Sequence, residues 1–221
     1  MERPGISRSD ESECIWYGIQ CNDQFEVNSF AVDANNVHGS IPSEISRLDS
    51  LRTLSMTRNH ISGTIPTEIM TMPNLEHILR YANMLIGSIP EEIGRATKLK
   101  SLRLENNLFF GTITQELGNA TNLEELRIGF NEFWRRIPTE MGLWTNMRWL
   151  VMEDNRISGT LPTEFGMMSK LEHFLISKNL MVGPVPTELA RMTDLAEFRI
   201  DGTGMGGTFP SEMASLTKLH R

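Results

Sequence analysis

The sequence predicts an α/β solenoid: a right-handed superhelix with a concave parallel β-sheet and short 3-10 or helical turns on its convex side. Three observations predict it. Asparagine recurs every 24 residues, at Asn35, Asn59, Asn83, Asn107, Asn131, Asn155 and Asn179, and Thr203 stands at the eighth place. Apolar residues occupy −8, −5, −3 and +2 around these asparagines, as in Leu51, Leu54, Met56 and Ile61 around Asn59. Glycine, an apolar residue and proline follow at +4, +6 and +7, as in Gly159, Leu161 and Pro162. Self-similarity at a fixed period of this length marks a stack of like supersecondary units.

Each element follows from its place in the period. Residues 1–13 are polar and are expected to be disordered; residues 14–26 form an N-terminal cap. Residues 27–218 hold eight 24-residue repeats, and residues 219–221 open a ninth. The pattern L-x-x-L-x-L-x-x-N-x-L is the leucine-rich-repeat signature. Its L-x-L segment makes one strand per turn, paired in parallel at about 4.8 Å. One unit cannot bury its apolar face alone, so stability comes from neighbours. The asparagine amide carries both donors and acceptors and can satisfy the backbone where the chain leaves the strand. Replacing it with alanine is expected to cost roughly 1–3 kcal/mol per site.

The stretch Ser62-Gly63-Thr64-Ile65-Pro66, repeated down the chain, resembles the plant-type extracellular leucine-rich-repeat proteins: receptor-kinase ectodomains, polygalacturonase inhibitors and related algal proteins. The resemblance covers residues 14–221. It implies a second short sheet and a twisted solenoid. Cys14-Ile15-Trp16-Tyr17-Gly18-Ile19-Gln20-Cys21 matches that family's C-x-W-x-G-[IV]-x-C cap. The match implies a Cys14–Cys21 disulfide with Trp16 packed over the first repeat. The residues alone leave a zinc site as the other reading, with half a tetrahedral ligand set and no nearby histidine. A disulfide implies an oxidising compartment, so the expected location is extracellular or at the cell surface. The sequon Asn119-Ala120-Thr121 is a candidate glycosylation site away from the concave sheet. No signal-peptide stretch precedes the cap and the last repeat stops in mid-strand, so a piece of a longer protein is expected.

Three positions depart from the pattern: Arg135 replaces glycine, Thr114 replaces proline, and Arg80 occupies an apolar strand slot. One reading of Arg80 leaves its stem in the core while the head reaches solvent or a carboxylate. The other makes it a kink that reshapes the concave face.

A net charge of −7 argues against nucleic acid, which needs a basic footprint. No run approaches the roughly 18 apolar residues of a membrane helix, so no membrane insertion is expected from this segment. Gly202-x-Gly204-x-x-Gly207 matches the dinucleotide fingerprint without its strand–helix context, and no cofactor is expected. A glutamate stands two residues after the proline position in all eight repeats, from Glu44 to Glu212, usually after serine or threonine. These residues suit the start of a helical turn, where the dipole favours acids. Neither this row nor the five histidines suggests a metal site. No catalytic motif appears, so no enzyme is expected, although a kinase can follow such a segment.

Alternation along each strand sends two variable columns to the concave face. The first runs Ser29, Thr53, His77, Ser101, Glu125, Trp149, His173 and Glu197; the second Ala31, Ser55, Leu79, Arg103, Arg127, Val151, Leu175 and Arg199. Repeats four to six place Arg103, Arg127 and Trp149 together, with Glu105, Glu125 and Glu153 around them, Phe130 at the strand end and His173 beside. Interface hot spots are enriched in tryptophan and arginine. The bland reading is a solvated surface of paired charges. Trp134, Arg135 and Arg136, beside Phe109 and Phe110, form a second aromatic–basic cluster lateral to that face. The leading expectation is a non-catalytic recognition module for a protein, peptide or polysaccharide, with a co-receptor as a further partner. The resemblance also admits a soluble inhibitor of a cell-wall-degrading enzyme. Ice binding is a third reading, on two partial Ser/Thr ladders: Ser40, Thr64, Ser88, Thr112, Thr160 and Thr208, and Ser43, Thr67, Thr139, Thr163, Thr187 and Ser211.

Overall fold

A computed structural model describes residues 13–220. The expected disordered segment 1–13 lies outside the described residues except for Glu13, as does Arg221. The chain is an α/β solenoid. Strands Val27–Ala31, Thr53–Ser55, His77–Leu79, Ser101–Arg103, Glu125–Arg127, Trp149–Val151, His173–Leu175 and Glu197–Arg199 lie side by side in chain order in the concave sheet. Their register is the 24-residue repeat itself: Leu102 pairs with Leu126, and Leu126 with Leu150. Strand Ile19–Cys21 adds to the first edge antiparallel, and Cys14 and Cys21 are joined in a disulfide.

A second sheet of eight short strands runs from His38–Ser40 to Gly204–Met205. Its strands sit just after each asparagine. The residue at +2 points inward and is buried, as at Ile61, Leu85, Phe109, Phe133 and Ile157, while +1 and +3 point outward. The glycine at +4 takes φ between 79° and 99° in seven repeats. Arg135 holds φ 72° in the same slot, a conformation that costs an L-residue about 1–2 kcal/mol.

The convex turns are all 3-10 among the described residues, from Ser43–Arg47 to Ser211–Ser215. The expected serine and threonine capping takes a different form. The N-cap is Pro42, Pro66, Pro90, Thr114 and so on, without a side-chain cap bond. The hydroxyl sits one residue inside the turn and donates to the following glutamate, as Thr163 Oγ1 does to Glu164 Oε2 at 3.3 Å. Successive turns pack closely because small residues separate them: a Cβ on Gly118 would stand 2.7 Å from the Glu140 carbonyl oxygen.

The asparagine amides join each turn to the one before. Asn107 Nδ2 donates to the Arg80 carbonyl at 2.8 Å, and Asn107 Oδ1 accepts from the Leu85 amide at 3.0 Å. The same two bonds recur at Asn59, Asn83, Asn131, Asn155 and Asn179. Asn35 differs. It is exposed, and its Nδ2 bonds only the nearby Asp33 carbonyl. The residue before each asparagine, from Ala34 to Lys178, holds φ between 52° and 57°. The amide bonds offset the strain of that left-handed turn.

Two expectations are corrected. Trp16 is 60% exposed rather than packed over the first repeat. Arg80 is fully buried, and its head reaches neither solvent nor a carboxylate. Its Nη1 lies 2.8 Å from Met56 Sδ, in the same slot of the preceding repeat, while Nε and Nη2 have no hydrogen-bond partner. Nor does it kink the face, since His77–Leu79 keeps register with both neighbouring strands. The −3 slot points into the middle of the coil, too deep for the stem to escape. Desolvation pushes its guanidinium down to about 9.

Candidate functional site: the concave strip

The parallel register brings both variable columns into lateral contact. Ser101, Glu125, Trp149, His173 and Glu197 are successive partners, as are Arg103, Arg127, Val151, Leu175 and Arg199. Along these columns runs one strip of touching side chains. The Arg103 guanidinium lies 4.5 Å from the centre of the Tyr81 ring. Its Nε and Nη2 donate to Glu105 Oε1 at 3.1 and 2.6 Å. Glu125 takes Arg127 on Oε1 and the Ser101 hydroxyl on Oε2, with Arg103 Nε 4.0 Å away. Arg127 lies 5.2 Å from the centre of the Trp149 ring. Trp149 stacks on His173 with centroids 3.9 Å apart and planes 7° from parallel. His173 Nδ1 sits 3.1 Å from Glu197 Oε2, and Arg199 Nη2 sits 2.6 Å from Glu197 Oε1.

The structure thus brings together Arg103, Glu105, Glu125, Arg127, Trp149 and His173. Phe130 and Glu153 stand at the strand ends beside them. Phe130 is 44% exposed, and the Glu153 stem packs over Gly129. Among the described residues neither makes an ion pair or ring contact with the strip. Tyr81, Glu197 and Arg199 belong to it although the sequence clustering left them out. Column position was the available signal for Glu197 and Arg199, and the place just after its strand was the signal for Tyr81.

The charges are paired as the bland reading expects, and the aromatic stacks go beyond it. Burial opposes the charge on Arg103, but the Glu105 carboxylate outweighs it and holds the guanidinium above its ordinary value. Burial likewise works against Glu197, but bonds from His173 and Arg199 hold its carboxyl below the usual range. Glu105 Oε2 is buried without a hydrogen-bond partner. A hollow of about 290 Å³ opens between Leu79, Ser101, Arg103, Glu125 and Trp149. The strip offers guanidinium faces, an aromatic stack and fixed carboxylates. Asn119, the sequon residue, lies on the convex side in the turn Gln115–Asn119.

The Leucine Rich Repeat family model matches residues 50–72 and 146–168. Repeat register, double sheet and this match define a leucine-rich-repeat solenoid. The chain is similar to a solved TDR receptor, at 26% identity over 87% of this chain and 33% of that one, with a TM-score of 0.83. It is similar to the Arabidopsis receptor kinase HAESA ectodomain, solved with an IDA peptide hormone, at 26% identity over 93% of this chain and 39% of that one, with a TM-score of 0.75. Its fold is also that of a plant ice-binding protein, at 20% identity over 92% of this chain and 81% of that one, with a TM-score of 0.66. No curated protein matches the sequence. Its repeats and fold are similar to those of plant receptor-kinase leucine-rich-repeat ectodomains. It spans between 33% and 39% of the two receptor ectodomains it matches. No helix among the described residues is long and apolar enough to cross a membrane.

Proposed function

We propose that this chain is a non-catalytic extracellular recognition segment that binds a peptide or protein on its concave face, over repeats three to eight. The strip from Tyr81 to Arg199 carries this reading. Its side chains are already held in one geometry by ion pairs and ring stacks. A surface ordered in advance loses less conformational entropy on association. The strip stays reachable, with the Arg103 and Arg127 side chains 27% and 29% exposed. The HAESA ectodomain, of the same fold, was solved with a peptide hormone ligand, which supports a peptide as the class of partner.

A displayed peptide library panned on the wild-type chain tests this, with Trp149→Ala/Arg127→Ala as the counter-target. Trp149→Ala removes the His173 stack, and Arg127→Ala removes a partner of Glu125. Selected peptides are expected to lose tenfold or more in affinity on the double variant, with little change in its melt. Peptides that bind both proteins equally would overturn the site. Enrichment only with added wall polysaccharide would replace the peptide by a glycan.

A further inference from the structure

The second sheet carries an apolar surface that the concave strip does not use. Its outward columns place Met84 and Ile86 on repeat three, Leu108 and Phe110 on repeat four and Trp134 on repeat five, each between 42% and 53% exposed. Strand pairing makes them one patch: Ile86 is the partner of Leu108, and Phe110 the partner of Glu132 on the Trp134 strand. In repeats two and six the outward positions are instead His60 and Ser62, and Arg156 and Ser158. Contiguous exposed apolar residues with a polar rim mark association surfaces.

The rim has a particular symmetry. On repeat five stand Arg135, stacked over Trp134 at 4.9 Å, and Arg136. On repeat three stands Glu91, exposed and lining the same flank hollow of about 750 Å³ as both arginines. Among the described residues none of these three has an ion-pair partner. Opposite charges therefore sit one repeat to either side of the apolar centre at Leu108 and Phe110. A two-fold axis along the repeat-four strand Leu108–Gly111 lays repeat five of one copy over repeat three of the other. That sets Trp134 against the partner's Met84 and Ile86, and Arg136 toward the partner's Glu91. A two-fold interface needs this self-complementarity.

We infer that the outer face of the second sheet, over repeats three to five, is a docking surface for a second copy of this chain. The concave strips take no part, so the dimer presents two recognition faces. Arg135 holds left-handed backbone where seven repeats use glycine, and its guanidinium lies over Trp134, one repeat from the centre of this contact.

Sedimentation equilibrium of the purified chain over a wide concentration range tests the inference. The average mass is expected to rise from one chain toward two. Phe110→Lys and Trp134→Glu are each expected to weaken dimerisation tenfold or more, with melts of the monomer unchanged. Arg136→Glu and Glu91→Arg should each weaken it, and the double exchange should restore it. Arg135→Gly should weaken association while raising the melting temperature. Wild type that stays monomeric throughout overturns the second copy as occupant, and a dimer indifferent to these changes overturns the surface. Single exchanges that the double does not rescue remove the two-fold geometry.

Discussion

Arg80 in repeat three and Arg135 in repeat five are both arginines in slots where the repeat uses another residue, and the molecule meets them in opposite ways. Arg80 keeps ordinary strand geometry and bears its cost in desolvation: its charge lies in the core with a thioether as partner. Arg135 stays exposed and bears its cost in backbone strain, at φ 72°. A surface departure can be offset by a partner that arrives later. A buried departure can be offset only by groups already present, and around Arg80 these leave two nitrogens without hydrogen bonds.

The largest effect should come from restoring the apolar slot. Arg80→Leu is expected to raise stability by on the order of 3–5 kcal/mol, the scale of a guanidinium pushed from its ordinary value down to about 9. The sign is fixed by linkage. A base whose folded value is depressed destabilises the fold fully below about 9, and the penalty shrinks as pH climbs above it. Urea unfolding should therefore show the variant's advantage constant between neutral pH and pH 8 and falling toward pH 11 (roughly two pH steps above the folded value). A constant advantage throughout would mean that packing, not charge, sets the cost.

Asn107→Ala is next, at roughly 1–3 kcal/mol of lost stability, because it frees the Arg80 carbonyl and the Leu85 amide. The loss should be the same in the Arg80→Leu background, since the amide holds backbone and not the guanidinium. Asn35→Ala, at an exposed site with only a local Nδ2 bond, should cost under about 1 kcal/mol. Equal thermal melts for Asn107→Ala and wild type would refute the ladder as a source of stability.

Arg135→Gly should stabilise the monomer by about 1 kcal/mol, without the pH dependence of Arg80→Leu. The two changes lie in different repeats and should add to within about 0.5 kcal/mol. A larger coupling would show that strain passes along the coil. The smallest effect is at the strip. Glu197 sits below the usual carboxylate range, so its contribution is present above that range and is lost as pH falls through its folded value. Glu197→Gln should lose under about 1 kcal/mol at neutral pH, and the gap from wild type should close on acidification.

The repeat was legible because its period sets the register of both sheets. Once Asn59, Asn83 and Asn107 are aligned, Glu125 must neighbour Ser101 and Trp149. Contacts within the strip were less legible. Column positions place Trp149 beside His173, but only rotamers decide that the rings stack. Clustering by residue type overlooked Tyr81, Glu197 and Arg199, which join through a ring face and a histidine. Arg80 was misread because escape to solvent depends on depth, which a linear pattern does not carry. Trp16 precedes the first repeat, where the period has nothing to say, and its expected packing rested on resemblance alone.

The amide ladder also has a direction. Each asparagine from Asn59 to Asn179 satisfies backbone groups of the turn before it and none of the turn after. Peeling a turn from the C-terminal end strips those bonds from the turn left behind, whereas peeling from the N-terminal end leaves the remaining amides bonded within their own turn, as Asn179 is to the Ile176 carbonyl. Under tension the coil is therefore a polar cable. Drawn from its last turn, it should tear with rising exposure of unmet amides, and drawn from its first it should shed turns cleanly.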